Sequence, residues 1–238
     1  MLTELCLAAL LLPVLLFAQE NVKVKGRIVN EQGEAVEYVQ IGVPKHQIGT
    51  IGTADGNTKE KYLLRSGVNI LGNTGITVYS LQEGHATGKE VGSVAQTKRP
   101  FLVKEISLPV RSNHIPGCVA SINIYRIEGE KESFVNLLHK PIYFDVAVSD
   151  KPQKYDLQPE ETLLLEPGKY FIAFQVVGCD EQARQAFLAK PKEEREFWEM
   201  TMDFSIHLKS SYVRDAALGE MQHLPINIGV AVKGLEYQ

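Results

Sequence analysis

Trp198-Glu199-Met200-Thr201-Met202-Asp203-Phe204-Ser205-Ile206-His207-Leu208 alternates without a break: every even position is large and apolar and every odd one is polar. A period of two is the pattern of a β-strand with one face buried and the other in water. At 3.6 residues per turn a helix would spread the six apolar groups around its circumference, whereas a pleated strand places them on one surface. Burying side chains of this size is favourable by ~1.5–3 kcal/mol each, so the strand offers on the order of 10–15 kcal/mol gross to a second layer. The rest of the chain is expected to supply that layer.

Working outward, strands are predicted over residues 90–95, 101–110, 119–127, 141–148, 162–165, 170–177, 198–208 and 226–232. Ala120, Ile122 and Ile124 oppose Ser121 and Asn123. Ile142, Phe144, Val146 and Val148 oppose Tyr143 and Asp145, and Ile226, Ile228, Val230 and Val232 oppose Asn227 and Lys233. Each has one apolar face. Tyr170-Phe171-Ile172-Ala173-Phe174 is apolar on both faces, which predicts a central strand covered twice, launched by the Pro167-Gly168 turn. Residues 181–196 are charged and broken by Pro191, which predicts a short helix and a polar loop between two strands, acting as a connector or as a contact loop. Short strands at this spacing predict an all-β, antiparallel two-sheet sandwich over residues 81–238.

Towards the N-terminus, residues 5–17 form an apolar run broken only by Pro13. It is shorter than the about 20 residues that cross a bilayer and fits the core of a secretory signal. Cleavage is expected after Ala18, although no Lys or Arg precedes the run and Leu16 stands where a small residue is usual. Residues 1–18 are thus read as a signal peptide, and the mature chain as exported to the periplasm or associated with the outer membrane, without a transmembrane segment. From Val22 a strand alternates Val22, Val24 and Ile28 with Lys23, Lys25 and Arg27; a second runs from Tyr38 to Val43, making a hairpin. A glycine-rich loop with an Asp55-Gly56 turn follows.

Lys25-Gly26-Arg27-Ile28-Val29, Gly33-Glu34-Ala35-Val36, Val39-Gln40-Ile41-Gly42-Val43, Gly49-Thr50 and Asp55-Gly56-Asn57 together resemble the carboxypeptidase-regulatory-like domain. The resemblance implies a small transthyretin-like β unit over residues 19–80, common in exported envelope proteins and without peptidase activity. Gly52-Thr53 and Thr58 depart from the family pattern, so the unit is abbreviated or its later strands belong to the following unit. Phe101-Leu102-Val103-Lys104, Ile122-Asn123-Ile124-Tyr125, Asn136-Leu137-Leu138, Pro141-Ile142-Tyr143 and the run from Pro167 to Ala173 resemble the jelly-roll-like module that often follows such a domain. Its motifs are strand patterns, which imply an architecture and no activity.

The chain carries a formal net charge of −4 with both signs interspersed, which leaves no basic face for nucleic acid. His46, His85, His114, His139, His207 and His223 show no metal-ligand spacing, and His207 falls on the polar side of its strand as a solvated or hydrogen-bonded group. No nucleophile elbow or phosphate loop occurs, and Glu160-Glu161 and Glu193-Glu194 are adjacent pairs rather than carboxylates flanking one bond. No catalytic residue, metal site or cofactor is predicted; an enzyme would need a site assembled from distant loops. Of the three cysteines, Cys6 lies in the signal, while Cys118 and Cys179 are either bridged or two separate buried thiols. The expected role is non-enzymatic, through binding or structural contacts with an envelope protein, including strand addition at a sheet edge. The alternative is a carbohydrate-binding module in which Tyr125, Tyr143 and Tyr212 stack on sugars. Calcium at Asp55 would bind weakly, since one carboxylate is available there.

Overall fold

The computed structural model describes residues 40–43, 48–51, 60–65, 75–82, 88–216 and 219–236. The predicted signal peptide, the predicted strand from Val22 with its hairpin partnership, and the predicted Asp55 turn lie outside the described residues. Eighteen strands are described. The first nine are β1 (Gln40–Val43), β2 (Ile48–Ile51), β3 (Glu60–Leu64), β4 (Ile76–Ser80), β5 (Glu90–Thr97), β6 (Phe101–Asn113), β7 (Cys118–Glu128), β8 (Ser133–Asn136) and β9 (Ile142–Val146). They are followed by β10 (Gln153–Leu157), β11 (Leu163–Leu165), β12 (Gly168–Gly178), helix α1 (Glu181–Ala189) and a 3₁₀ turn at Lys192–Glu194. The last six are β13 (Thr201–Phe204), β14 (Ile206–His207), β15 (Ser211–Arg214), β16 (Gln222–Leu224), β17 (Asn227–Ile228) and β18 (Ala231–Glu236).

Two curled antiparallel sheets make the sandwich. Sheet one is organised around the long strand β6. β18 and β13 share one edge of β6, while β11 and β10 share the other, and β3 and β4 flank β18 and β13. Strands on both sides of residue 80 therefore pair in the same sheet. Sheet two runs β16-β15-β5-β12-β7-β8, with β9 also on β7. β12 lies between β5 and β7, and Tyr170, Phe171, Ile172, Ala173 and Phe174 are all buried, as their two-sided apolar pattern predicts. Between the sheets Phe174 packs against Tyr79 and Phe204 at ring-centroid distances of 5.2 and 5.1 Å. β1 and β2 pair as a hairpin of their own. Among the described residues no helix is long and apolar enough to cross a membrane.

The stretch 198–208 departs from its prediction at both ends. Met200, Met202, Phe204 and Ile206 are buried, but Trp198 is 55% exposed and Leu208 71% exposed. The strand begins only at Thr201, because residues 197–200 form a turn that Met200 closes with a φ of 58°. It is interrupted at Ser205, after which β14 pairs with β17. The polar side is covered too. Thr201 and His207 are buried, which corrects the expectation of a wet face, and Asp203 accepts hydrogen bonds from Thr77 Oγ1 at 2.8 Å and Ser112 Oγ at 2.9 Å. Neighbouring strands on both edges thus satisfy groups that an isolated strand would leave to water. The predicted strand over 226–232 is likewise split, into β17 and the start of β18.

Candidate functional site

The outer face of sheet two, turned away from sheet one, carries a set of linked polar side chains. Strand register aligns Arg214, Glu90, Gln175, Ser121 and Tyr143 in one row crossing β15, β5, β12, β7 and β9. At about 4.8 Å per strand the row is roughly 19 Å long. Its fixed end is the fully buried Glu90 carboxylate, which pairs with Arg214 Nη2 at 2.6 Å and accepts from Tyr125 OH and Asn123 Nδ2, each at 2.7 Å. Arg214 Nη2 also donates to Tyr125 OH at 2.9 Å, and the guanidinium stands 5.5 Å from the Tyr125 ring centre. Burial and the neighbouring carboxylate push the Tyr125 phenol well above its ordinary range, so it remains a donor.

From there the network reaches the surface through amides. Asn123 Nδ2 also donates to Gln175 Oε1 at 3.2 Å, Ser121 Oγ donates to the same oxygen at 3.4 Å, and Asn136 Nδ2 donates to Asn123 Oδ1 at 3.4 Å. Asn123 and Gln175 are half-buried, whereas Asn136 and Tyr143 are exposed. A charged pair deep in a sheet face costs desolvation unless every lone pair is matched, and here the Glu90 oxygens are matched three times.

Beside the row lies a second, smaller core. Tyr125, Phe171 and Tyr212 are buried together with Phe134 packed on them. The rings of Tyr212 and Phe134 are 5.0 Å apart although their strands are separated by β5, β12 and β7. Four strand spacings in a flat sheet would be roughly 19 Å, so the sheet curls about this face and makes it concave. Lys169 Nζ closes the edge, reaching Tyr212 OH at 2.8 Å and Glu132 Oε1 at 2.9 Å, while Tyr212 OH donates to Glu132 Oε1 at 2.7 Å. These two hydrogen bonds hold the Glu132 carboxyl below its usual range.

The structure therefore separates the three tyrosines singled out in the sequence. Tyr125 and Tyr212 are brought together but are only 7% and 3% exposed, so they form the floor and cannot stack on a ligand; Tyr143 is 61% exposed at the open end of the row. Glu90, Gln175 and Arg214 were not singled out. A detectable signal existed for Gln175, the one polar residue within the otherwise apolar strand 170–177.

The other candidates have local roles. Glu161 accepts from the backbone N–H of His139 at 2.8 Å and Lys140 at 3.1 Å, and His114 Nε2 contacts Asp150 at 2.7 Å. Among the described residues no group of three or more His, Cys, Asp or Glu could hold a metal ion. The predicted helix and loop of 181–196 lead to exposed Phe197 and Trp198, on a turn whose carbonyls at 196, 197 and 199 all accept from Gln82 Nε2 at 3.2, 3.0 and 2.9 Å. No protein-family model, curated protein or solved structure matches this chain.

Proposed function

We propose that the protein is a non-catalytic binding module, exported to the cell envelope, that uses the concave outer face of sheet two as its ligand surface. One observation carries the reading: a row of polar side chains crosses five strands, anchored by the buried Glu90–Arg214 pair and open at Tyr143. Such a row offers donors and acceptors on hydrogen-bonded, paired strands, which limits the ordering cost of binding. Export is supported by the apolar run of residues 5–17 and by the resemblance of the N-terminal segment to a carboxypeptidase-regulatory-like domain.

A carbohydrate is the second reading, favoured by the exposed ring of Tyr143 on the same sheet face as the amides of Asn123 and Gln175. An aromatic face and planar amides suit a ligand with apolar ring faces and many hydroxyls. The test is a thermal-shift series with soluble glycans, peptidoglycan fragments and extended peptides. A ligand at a hundred times its dissociation constant adds ~2.7 kcal/mol, which raises the midpoint of a protein of this size by roughly 5–10 °C. Tyr143→Ala should abolish the shift. A glycan shift that survives both Tyr143→Ala and Gln175→Ala would move the site elsewhere, and no shift with any of these ligands would remove this face as a small-ligand site.

A further inference from the structure

β7 and β12 place Val176 opposite Ala120, and a one-residue bulge then sets Gly178, instead of Val177, opposite Val119. Two residues further on, Asp180 faces Gly117: a methyl group on Gly117 would lie 3.0 Å from Asp180 N, and that N–H donates to Pro116 O at 2.8 Å. Continuing the register by one pair, between these two juxtapositions, sets Cys179 across from Cys118. The bulge also selects the face. Without it, residue 178 would oppose Cys118 and Cys179 would point outward; with it, Cys179 packs against the same core cluster that contains Cys118. Both are free thiols in the structure.

Opposed residues on antiparallel strands have Cα atoms about 4.5–5.5 Å apart, inside the range of about 4.4–6.8 Å that a disulfide requires. We infer that Cys118 and Cys179 are a cross-strand redox pair that closes to a disulfide when the folded chain meets an oxidising low-molecular-weight disulfide. Cys179 is half-buried and Cys118 fully buried, which sets the order of events. The Cys179 thiolate attacks one sulfur of glutathione disulfide, breaking its S–S bond and releasing one glutathione thiolate. Cys118 then gives up its proton and attacks Cys179 Sγ, expelling the second glutathione thiolate. The two cysteines lose two electrons and two protons, which end on two molecules of glutathione. Burial raises both thiols, Cys118 to about 12 with Cys179 close by, so both steps accelerate as pH rises.

The experiment incubates the folded full chain in glutathione redox buffers and follows it by thiol titration and peptide mass mapping. The expected product joins the peptides of Cys118 and Cys179 with loss of two hydrogen atoms, and its thermal midpoint rises by on the order of 10 °C. Cys118→Ser should stall as a glutathione adduct on Cys179, and Cys179→Ser should leave Cys118 unmodified while folded. Persistence of both free thiols in fully oxidising buffer, or a lasting glutathione adduct in the unaltered chain, would each overturn the inference.

Discussion

The two faces of sheet two are built from the same strands and are held by different physics. On the inner face Ile122 and Ile124 of β7 and Ile172 and Phe174 of β12 are wholly buried in a continuous apolar core. One residue along each strand, the outer face carries Ser121, Asn123, Ala173 and Gln175, joined to a buried ion pair. Apolar burial is favourable in itself, whereas a buried charge is tolerated only when its partners are complete. The inner face therefore supplies most of the stability, and the polar row of the outer face, beside its smaller apolar core, holds its groups in a fixed arrangement at little or no net gain. That contrast is what a binding surface on a rigid scaffold requires.

Phe174→Ala strikes the inner face hardest. The ring touches Tyr79, Phe144 and Phe204 and no neighbouring element can fill its place, so denaturant unfolding should report a loss of about 3–5 kcal/mol. On the outer face Glu90→Ala leaves the Arg214 guanidinium without its carboxylate and should cost about 3 kcal/mol, near the lower end for a broken buried pair because Arg214 retains some solvent contact. The double replacement Glu90→Leu, Arg214→Met should be less damaging than the sum of the two single ones. Strict additivity in that cycle would mean that the pair is not coupled, and the contrast between the faces would collapse.

Acid titration gives a smaller effect. Hydrogen bonds from Tyr212 and Lys169 hold Glu132 below the usual carboxylate range, so its contribution is present above the unfolded value of about 4.3 and lost as pH falls through the lower folded value. The midpoint of the unaltered chain should decline more steeply below about pH 4.3 than that of Glu132→Gln, which already lacks the titrating carboxyl. Equal slopes would remove Glu132 from the account. Smallest of all is the effect of Tyr143→Ala on folding: the ring is mostly in solvent, and stability should stay within about 0.5 kcal/mol while ligand binding is lost.

Much of the sandwich was legible because alternation reports which face of a strand is dry. It placed Ile122, Ile124, Phe174, Met202 and Phe204 in the core and the strand containing Tyr170 at the centre. It did not reveal β8, β10, β15 and β16: β10 and β15 depend on partners far back along the chain, while β8 and β16 are short strands folded onto the neighbouring β7 and β15. It also overran at Trp198 and Leu208, where the pattern continues but the chain has turned out of the sheet. The ligand face was the least legible part. Tyr125 and Tyr143 look alike in the sequence, each on the polar side of an alternating strand, yet one is buried under Arg214 and the other is bare.

By itself the sequence determined the all-β class, the antiparallel sandwich and the inward side of its main strands, since a period of two is a property of each strand alone. Only the tertiary structure decided which outward residues meet. Register and sheet curl brought Glu90 to Arg214 and Tyr212 to Phe134, and a single bulge turned Cys179 to the core side that holds Cys118. The reason is that pairing across strands joins residues tens of positions apart, and a shift of one residue changes both the partner and the face.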